Sequence, residues 1–204
     1  MVIIMEMTKI VITGGPCAGK TEAMSKIKNY FTDKGYTVLF IPETATELIS
    51  GGVAPWTCGT NFDYQLCQCE LQLKKEELFD RAARTMKQDK FLIVCDRGLF
   101  DNRAYMKEEE FNMILDTLHV SEEEMLNQYD AVFHLVTSAK GLADFYQTEN
   151  NAARYETVDE AVDLDDRLLK AWSKHPRLKV IDNQEDFDLK MNNVILEISL
   201  YLGI

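Results

Sequence analysis

The sequence predicts an α/β fold, one five-stranded parallel sheet flanked by helices, and three observations carry that prediction. Apolar runs of strand length alternate with segments of helical period, the pattern of a sheet covered by helices. The 204 residues are 46% hydrophobic with only four prolines, enough apolar mass for one core. A glycine-rich turn joins the first strand directly to the first helix. The expected unit is a single domain, residues 1–204, without internal repeat, low-complexity tract or linker.

Residues 9–13 (KIVIT) read as the first strand. Ala23, Met24, Ile27, Tyr30 and Phe31 then form one apolar face at 3.6-residue spacing, and Gly35 stops that helix. Residues 37–41, 91–96, 131–136 and 178–182 are the next four strands. Between the second and third, Phe62, Leu66, Cys69 and Leu73 stripe a long helix, after a loop that holds Gly51-Gly52, Pro55 and Trp56. Ser121 with Glu124 and Thr157 with Glu160 have the spacing of capping boxes. The last helix gathers Phe187, Met191, Val194, Ile195, Ile198 and Leu202 on one face.

Formal net charge is −12, with acidic runs at 108–110 and 122–124 that read as solvated helix faces. Such a surface repels phosphate backbones and anionic lipid, so neither nucleic acid nor membrane is an expected partner. No run approaches 18 apolar residues, and the apolar start at 1–5 lacks a basic flank. The five cysteines are odd in number and lack metal-finger spacing; they read as reduced thiols of a cytoplasmic protein.

Gly14-Gly15-Pro16-Cys17-Ala18-Gly19-Lys20-Thr21 matches G-x-x-x-x-G-K-[ST], and it sits between a strand and a helix. Glycines let backbone wrap closely around phosphate, and a helix N-terminus presents free amides to an anion. Lys20 is expected on the β- and γ-oxygens of ATP or GTP, and Thr21 on magnesium. This is a P-loop.

Asp96 and Arg97 end the third strand, so a carboxylate and a guanidinium leave the sheet at the carboxyl edge, where ligands bind in open α/β sheets. Asp96 can hold magnesium or its water and Arg97 can neutralise a transferring phosphoryl group, or the two form an ion pair or helix cap. Glu43 follows the second strand and reaches the same edge. It can orient a substrate hydroxyl or take its proton, or be an ordinary carboxylate at a helix start. Gln65, Gln68 and Gln72 form an amide stripe on the long helix. The ordinary reading is solvated surface, the functional one a contact to a nucleobase edge. Residues 137–156 are polar and read as a lid that brings Arg154 onto the phosphates, or leaves it in a surface ion pair.

With ITGGPCAGKT, IPETATELISGG, CDRGLFDNRAY and FYQTENNAARYETVDEAVDLDDRLLKAW followed by HPRLKVIDN, the chain resembles a particular group. It is the AAA-type P-loop domain family shared by NadR-type nicotinamide riboside kinases and the TRPL-translocation-defect GTP-binding proteins. The likeness runs from about Lys9 to the C-terminus. More distantly, the layout is similar to deoxynucleoside and thymidylate kinases, where a glutamate after strand two and an acidic-Arg pair after strand three serve the acceptor. The resemblance implies those roles for Glu43, Asp96 and Arg97, and the strand order 2-3-1-4-5. These 204 residues contain neither the adenylyltransferase domain of NadR proteins nor the additional C-terminal domain of the translocation-defect proteins.

The expected activity is therefore transfer of a γ-phosphoryl group to a small hydroxyl-bearing acceptor of nucleoside or nucleotide type. Lys20, Arg97 and Arg154 would stabilise charge, Thr21 and Asp96 hold magnesium, and Glu43 orient the acceptor. The alternative is a nucleotide-gated protein whose lid reports ATP or GTP to a protein partner.

Overall fold

The computed structural model describes residues 5–141 and 157–204. Five strands, β1 (Glu6–Thr13), β2 (Thr37–Ile41), β3 (Lys90–Asp96), β4 (Ala131–Leu135) and β5 (Leu178–Ile181), form one sheet in the order β2-β3-β1-β4-β5. Every pairing is parallel, and the order is the one the resemblance implies. Strand β1 starts three residues earlier than its apolar run, because Glu6, Met7 and Thr8 pair with Lys90, Phe91 and Leu92 of β3.

The helices are α1 (Lys20–Asp33), α2 (Thr44–Ser50), α3 (Asn61–Ala83), α4 (Glu108–Thr117), α5 (Glu122–Leu126), α6 (Val158–Ala171) and α7 (Phe187–Leu202). A 3-10 segment, Leu99–Tyr105, follows β3. Both expected capping boxes form, at Ser121 with Glu124 and at Thr157 with Glu160.

Period-two alternation sends successive strand residues to opposite faces of the sheet. Ile10, Ile12, Leu92, Val94, Phe133 and Leu135 pack with Ala23, Ile27 and Phe31 of α1 and with Met191, Val194 and Ile198 of α7. Val11, Phe91, Ile93, Cys95 and Val132 pack on the other face with Cys69 of α3, Phe111 and Ile114 of α4, and Trp172. Both faces are covered, which is why the strands read as continuous apolar runs.

Register places the functional edge. Ile12 pairs with Asp96, Thr13 with His134 and Ile41 with Cys95, so all three strand ends lie level. The chain leaving β1 is the P-loop, the chain leaving β2 carries Glu43, and the chain leaving β3 carries Arg97.

Candidate functional site

The P-loop takes backbone conformations that its glycines permit. Gly14 has φ +137°, and a methyl built there would lie 2.0 Å from the Leu135 carbonyl oxygen of β4. Gly19, at φ +92°, is the N-cap of α1. Cys17 is held at φ +54°, a sparsely populated region for a side-chain-bearing residue, of the kind that clusters at ligand-binding sites. The loop thus ends on the N-terminus of a 14-residue helix, where backbone amides have no intrahelical partners.

Lys20 Nζ donates to the carbonyl oxygens of Gly14 and Gly15, at 3.0 Å each, so its ammonium is folded back over the cradle. Burial and the nearby Arg97 charge bring its pKa down to about 8, against the opposing pull of Asp96, Glu43 and Asp101. Thr21 is exposed at the start of α1.

Glu43 and Arg97, expected on one edge, are in direct contact. Arg97 Nε donates to Glu43 Oε1 at 2.6 Å, and Arg97 Nη1 donates to Asp101 Oδ1 at 3.0 Å. Asp101 Oδ1 also accepts from the Thr13 hydroxyl at 2.5 Å, the residue before the P-loop. Its other oxygen accepts from the Gly98 amide and from Trp172 Nε1, both at 3.0 Å. An unbroken polar chain therefore runs Glu43, Arg97, Asp101, Thr13. Burial pushes the Glu43 carboxyl up, but Arg97, the Thr46 hydroxyl and Lys20 outweigh it and hold Glu43 below its ordinary value. Burial works against the Arg97 charge, and Tyr105, Asp101 and Glu43 more than restore it. The pair is ionised.

Among the described residues Asp96 forms no ion pair with Arg97, which takes Glu43 and Asp101 instead. Asp96 Oδ1 is buried without a hydrogen-bond partner among the described residues. Burial raises its pKa, opposed by Lys20. A buried carboxylate oxygen left open beside the P-loop lysine fits a cation or its water. Magnesium keeps several waters and takes one or two protein oxygens beside phosphate, so Thr21 and Asp96 are residues that could hold it.

The amide stripe is not solvated. Gln65, Gln68 and Gln72 are each more than nine-tenths buried, which corrects the surface reading. Asn61, Gln65, Gln68 and Gln72 recur at i, i+4, i+7 and i+11 and share one face of α3. Asn61 Nδ2 donates to the Tyr105 carbonyl, and Gln72 Nε2 approaches the Arg97 carbonyl at 3.4 Å, so this face lies along the 97–105 segment. Gln72 also accepts from the Thr44 hydroxyl, while Lys75 Nζ donates to the Pro42 carbonyl at 2.7 Å and to Glu47. Helix α3 thereby braces Glu43 from both sides in sequence. Gln65 Oε1 has no partner among the described residues.

A family model described as an AAA domain matches residues 9–190. The chain belongs to that AAA domain family. No curated protein matches it in sequence. Membership with an intact P-loop carries nucleoside triphosphate binding, usually with magnesium, and NTPase or kinase-type phosphoryl chemistry. Among the described residues of this AAA domain, no helix is long and apolar enough to cross a membrane.

Arg154 and residues 142–156 of the expected lid lie outside the described residues. Two clefts of about 300 Å³ lie elsewhere, one between the 3-10 segment and the end of α6, the other where β5 meets α7; neither is lined by Glu43, Arg97 or the P-loop. Sequence reading missed Asp101. It looked like one more acid in an acidic chain, and only its contacts to Thr13, 88 positions away, and Trp172, 71 positions away, distinguish it.

Proposed function

We propose that this AAA domain is a kinase that transfers the γ-phosphoryl group of ATP or GTP to a hydroxyl of a small acceptor of nucleoside or nucleotide type. The observation that carries the reading is the Glu43–Arg97 ion pair, standing on the sheet edge beside the P-loop and linked to Thr13 through Asp101.

Phosphoryl transfer asks a protein for positioning and for charge stabilisation rather than for covalent chemistry. Lys20 would leave the Gly14 and Gly15 carbonyls for the β- and γ-oxygens, as those carbonyls are weaker partners than an anion. Magnesium would neutralise phosphate charge from Thr21 and the open oxygen of Asp96. Glu43 is a carboxylate kept ionised by Arg97, which suits it to accept a hydrogen bond from the acceptor hydroxyl and fix its line of attack. Arg97 is held by two carboxylates, so its charge is aimed without searching among rotamers. Gln65 and Gln68, on the buried face of α3, supply amide groups that suit the polar edge of an acceptor; the unpartnered Gln65 Oε1 asks for a donor. The NadR-type resemblance agrees with an acceptor of nucleoside class.

Incubation with labelled ATP or GTP, magnesium and a panel of nucleosides and nucleotides tests the proposal. Label transferred to one class of acceptor, dependent on Glu43, is the expected result. Hydrolysis at the same rate with and without every acceptor contradicts it and favours the nucleotide-gated reading.

A further inference from the structure

The P-loop is gripped from outside its own motif. Asp165, on α6, has a fully buried side chain. Its Oδ1 accepts from the Gly15 amide at 2.8 Å and from the Thr137 amide at 3.2 Å, and its Oδ2 accepts from Lys140 Nζ at 2.7 Å. His134 Nε2 lies 3.2 Å from Oδ1. Thr137 Oγ1 donates in turn to the Pro16 carbonyl at 2.5 Å. The residues that follow β4 are themselves tied to the end of β5, since Asn183 Nδ2 donates to the carbonyls of Thr137 and Lys140, at 2.8 Å each. Lys190 Nζ donates to the Val136 carbonyl at 2.6 Å and to Asn183 Oδ1 at 2.9 Å.

We infer that Asp165 is a positioning residue for the phosphate cradle, fixing the Gly15–Pro16 half of the P-loop against β4. This rests on the P-loop's binding a triphosphate. A carboxylate beside a phosphate site is a strange choice on charge alone, because it repels the ligand. Its place makes sense as an acceptor for backbone amides that the fold buries. One loop amide, that of Gly15, is spent on Asp165, and the later ones, towards the N-terminus of α1, are left for the anion. Lys140 compensates the charge and also pairs with Asp166 at 2.6 Å. Steric fit agrees: a methyl on Gly15 would lie 2.9 Å from both Cβ and Oδ1 of Asp165, so helix and loop are matched at closest approach.

Calorimetric titration with a nucleoside triphosphate and with inorganic triphosphate, both with magnesium, tests the role in wild type, Asp165→Ala and Asp165→Asn. Alanine leaves two buried amides unpaired and lets the loop move. Affinity of its folded fraction should fall about tenfold or more, by the same factor for both ligands, because the defect is in the phosphate cradle. Asparagine retains a carbonyl acceptor and should recover most of the loss, which a mere loss of stability would not predict. Wild-type affinity in folded Asp165→Ala overturns the inference alone. A wild type that binds neither ligand overturns the nucleotide reading itself. If the alanine variant does not fold, hydrogen exchange of wild type decides: a protected Gly15 amide in the free protein supports the clamp, and exchange as fast as an open loop amide overturns it.

Discussion

Glu43 and Arg97 are 54 positions apart and come from different strand ends, yet they meet at 2.6 Å. Arg97 sits at φ +67°, a left-handed conformation that a non-glycine residue rarely holds without support. Support comes from its amide, which donates to the Ile12 carbonyl at 3.1 Å, and from the carboxylates that hold its guanidinium. The strained residue and the ion pair go together: the amide is tied to β1, while the guanidinium bonds Glu43 beyond the neighbouring strand β2 and Asp101.

Glu43→Gln keeps the shape of the pair but removes the negative charge. The P-loop belongs to another element, so nucleotide affinity should change little. Turnover with the identified acceptor should fall about a hundredfold to ten-thousandfold if Glu43 takes the proton, and acceptor binding should weaken instead if it only orients the hydroxyl. Steady-state kinetics on both proteins separates these outcomes. Full turnover and unchanged acceptor KM in the variant would remove Glu43 from the mechanism.

Lys20 gives triphosphate binding a pH dependence of known sign. In the free protein its pKa is down at about 8, and a bound triphosphate, being anionic, raises it. Below pH 8 the ammonium is already charged and affinity should be flat with respect to this group. Above pH 8 binding must take up a proton, so affinity should decline, approaching about tenfold per pH unit. Titrations between pH 6.5 and 9.5 in buffers of different ionisation enthalpy read both the decline and the proton uptake. A flat profile without uptake contradicts the placement of this charge at the phosphates.

Asp165 should contribute to acid stability. Burial pushes its carboxyl up, but His134, Lys140 and the Gly15 amide outweigh it and bring the pKa down to about 2. A folded-state value below the unfolded one gives stability that is present above about pH 4 and lost as pH falls through 2. With allowance for solvent screening, the contribution is about 1–2 kcal/mol. The stability gap between wild type and Asp165→Asn, measured by denaturant unfolding, should therefore shrink from pH 6 to pH 3. A gap independent of pH would mean that the charge does not matter to the fold.

Gln72 and Gln65 share a helix face but should respond differently. Gln72 bonds Thr44 and donates at 2.7 Å to Glu76, a carboxylate 1% exposed that also accepts from the Tyr129 hydroxyl. Gln72→Leu leaves that network short of partners and should lower stability by about 1–3 kcal/mol. Gln65→Leu removes a buried oxygen that has no partner among the described residues, and should leave stability nearly unchanged while it raises the acceptor KM. Unfolding curves and acceptor titrations check the pair. The reverse order of stabilities would place the brace at the wrong glutamine.

Much of this was legible in the sequence because it is local. The P-loop is eight consecutive residues whose chemistry depends on backbone amides, and strand, turn and helix follow one another without a gap. Glu43 and Arg97 were findable as polar residues directly after apolar strands. Asp101 and Asp165 were not, since their contacts span 88 and 150 positions and an aspartate in an acidic chain carries no mark of burial. Gln65, Gln68 and Gln72 misled for the same reason: a polar helix residue reads as solvated until the facing element is known. That element is the 97–105 segment, whose 3-10 turn has no apolar period to announce it.

The central claim is that this AAA domain binds a triphosphate on the P-loop through Lys20, and one substitution tests it most directly. Lys20→Ala removes the ammonium that bonds Gly14 and Gly15, and no other lysine lies in the loop to replace it. Calorimetric titration with ATP and with GTP, in the presence of magnesium, should show affinity reduced by about a hundredfold or more relative to wild type, with the thermal midpoint of the free protein little changed. Equal affinity in wild type and variant, for whichever triphosphate binds, would contradict the account.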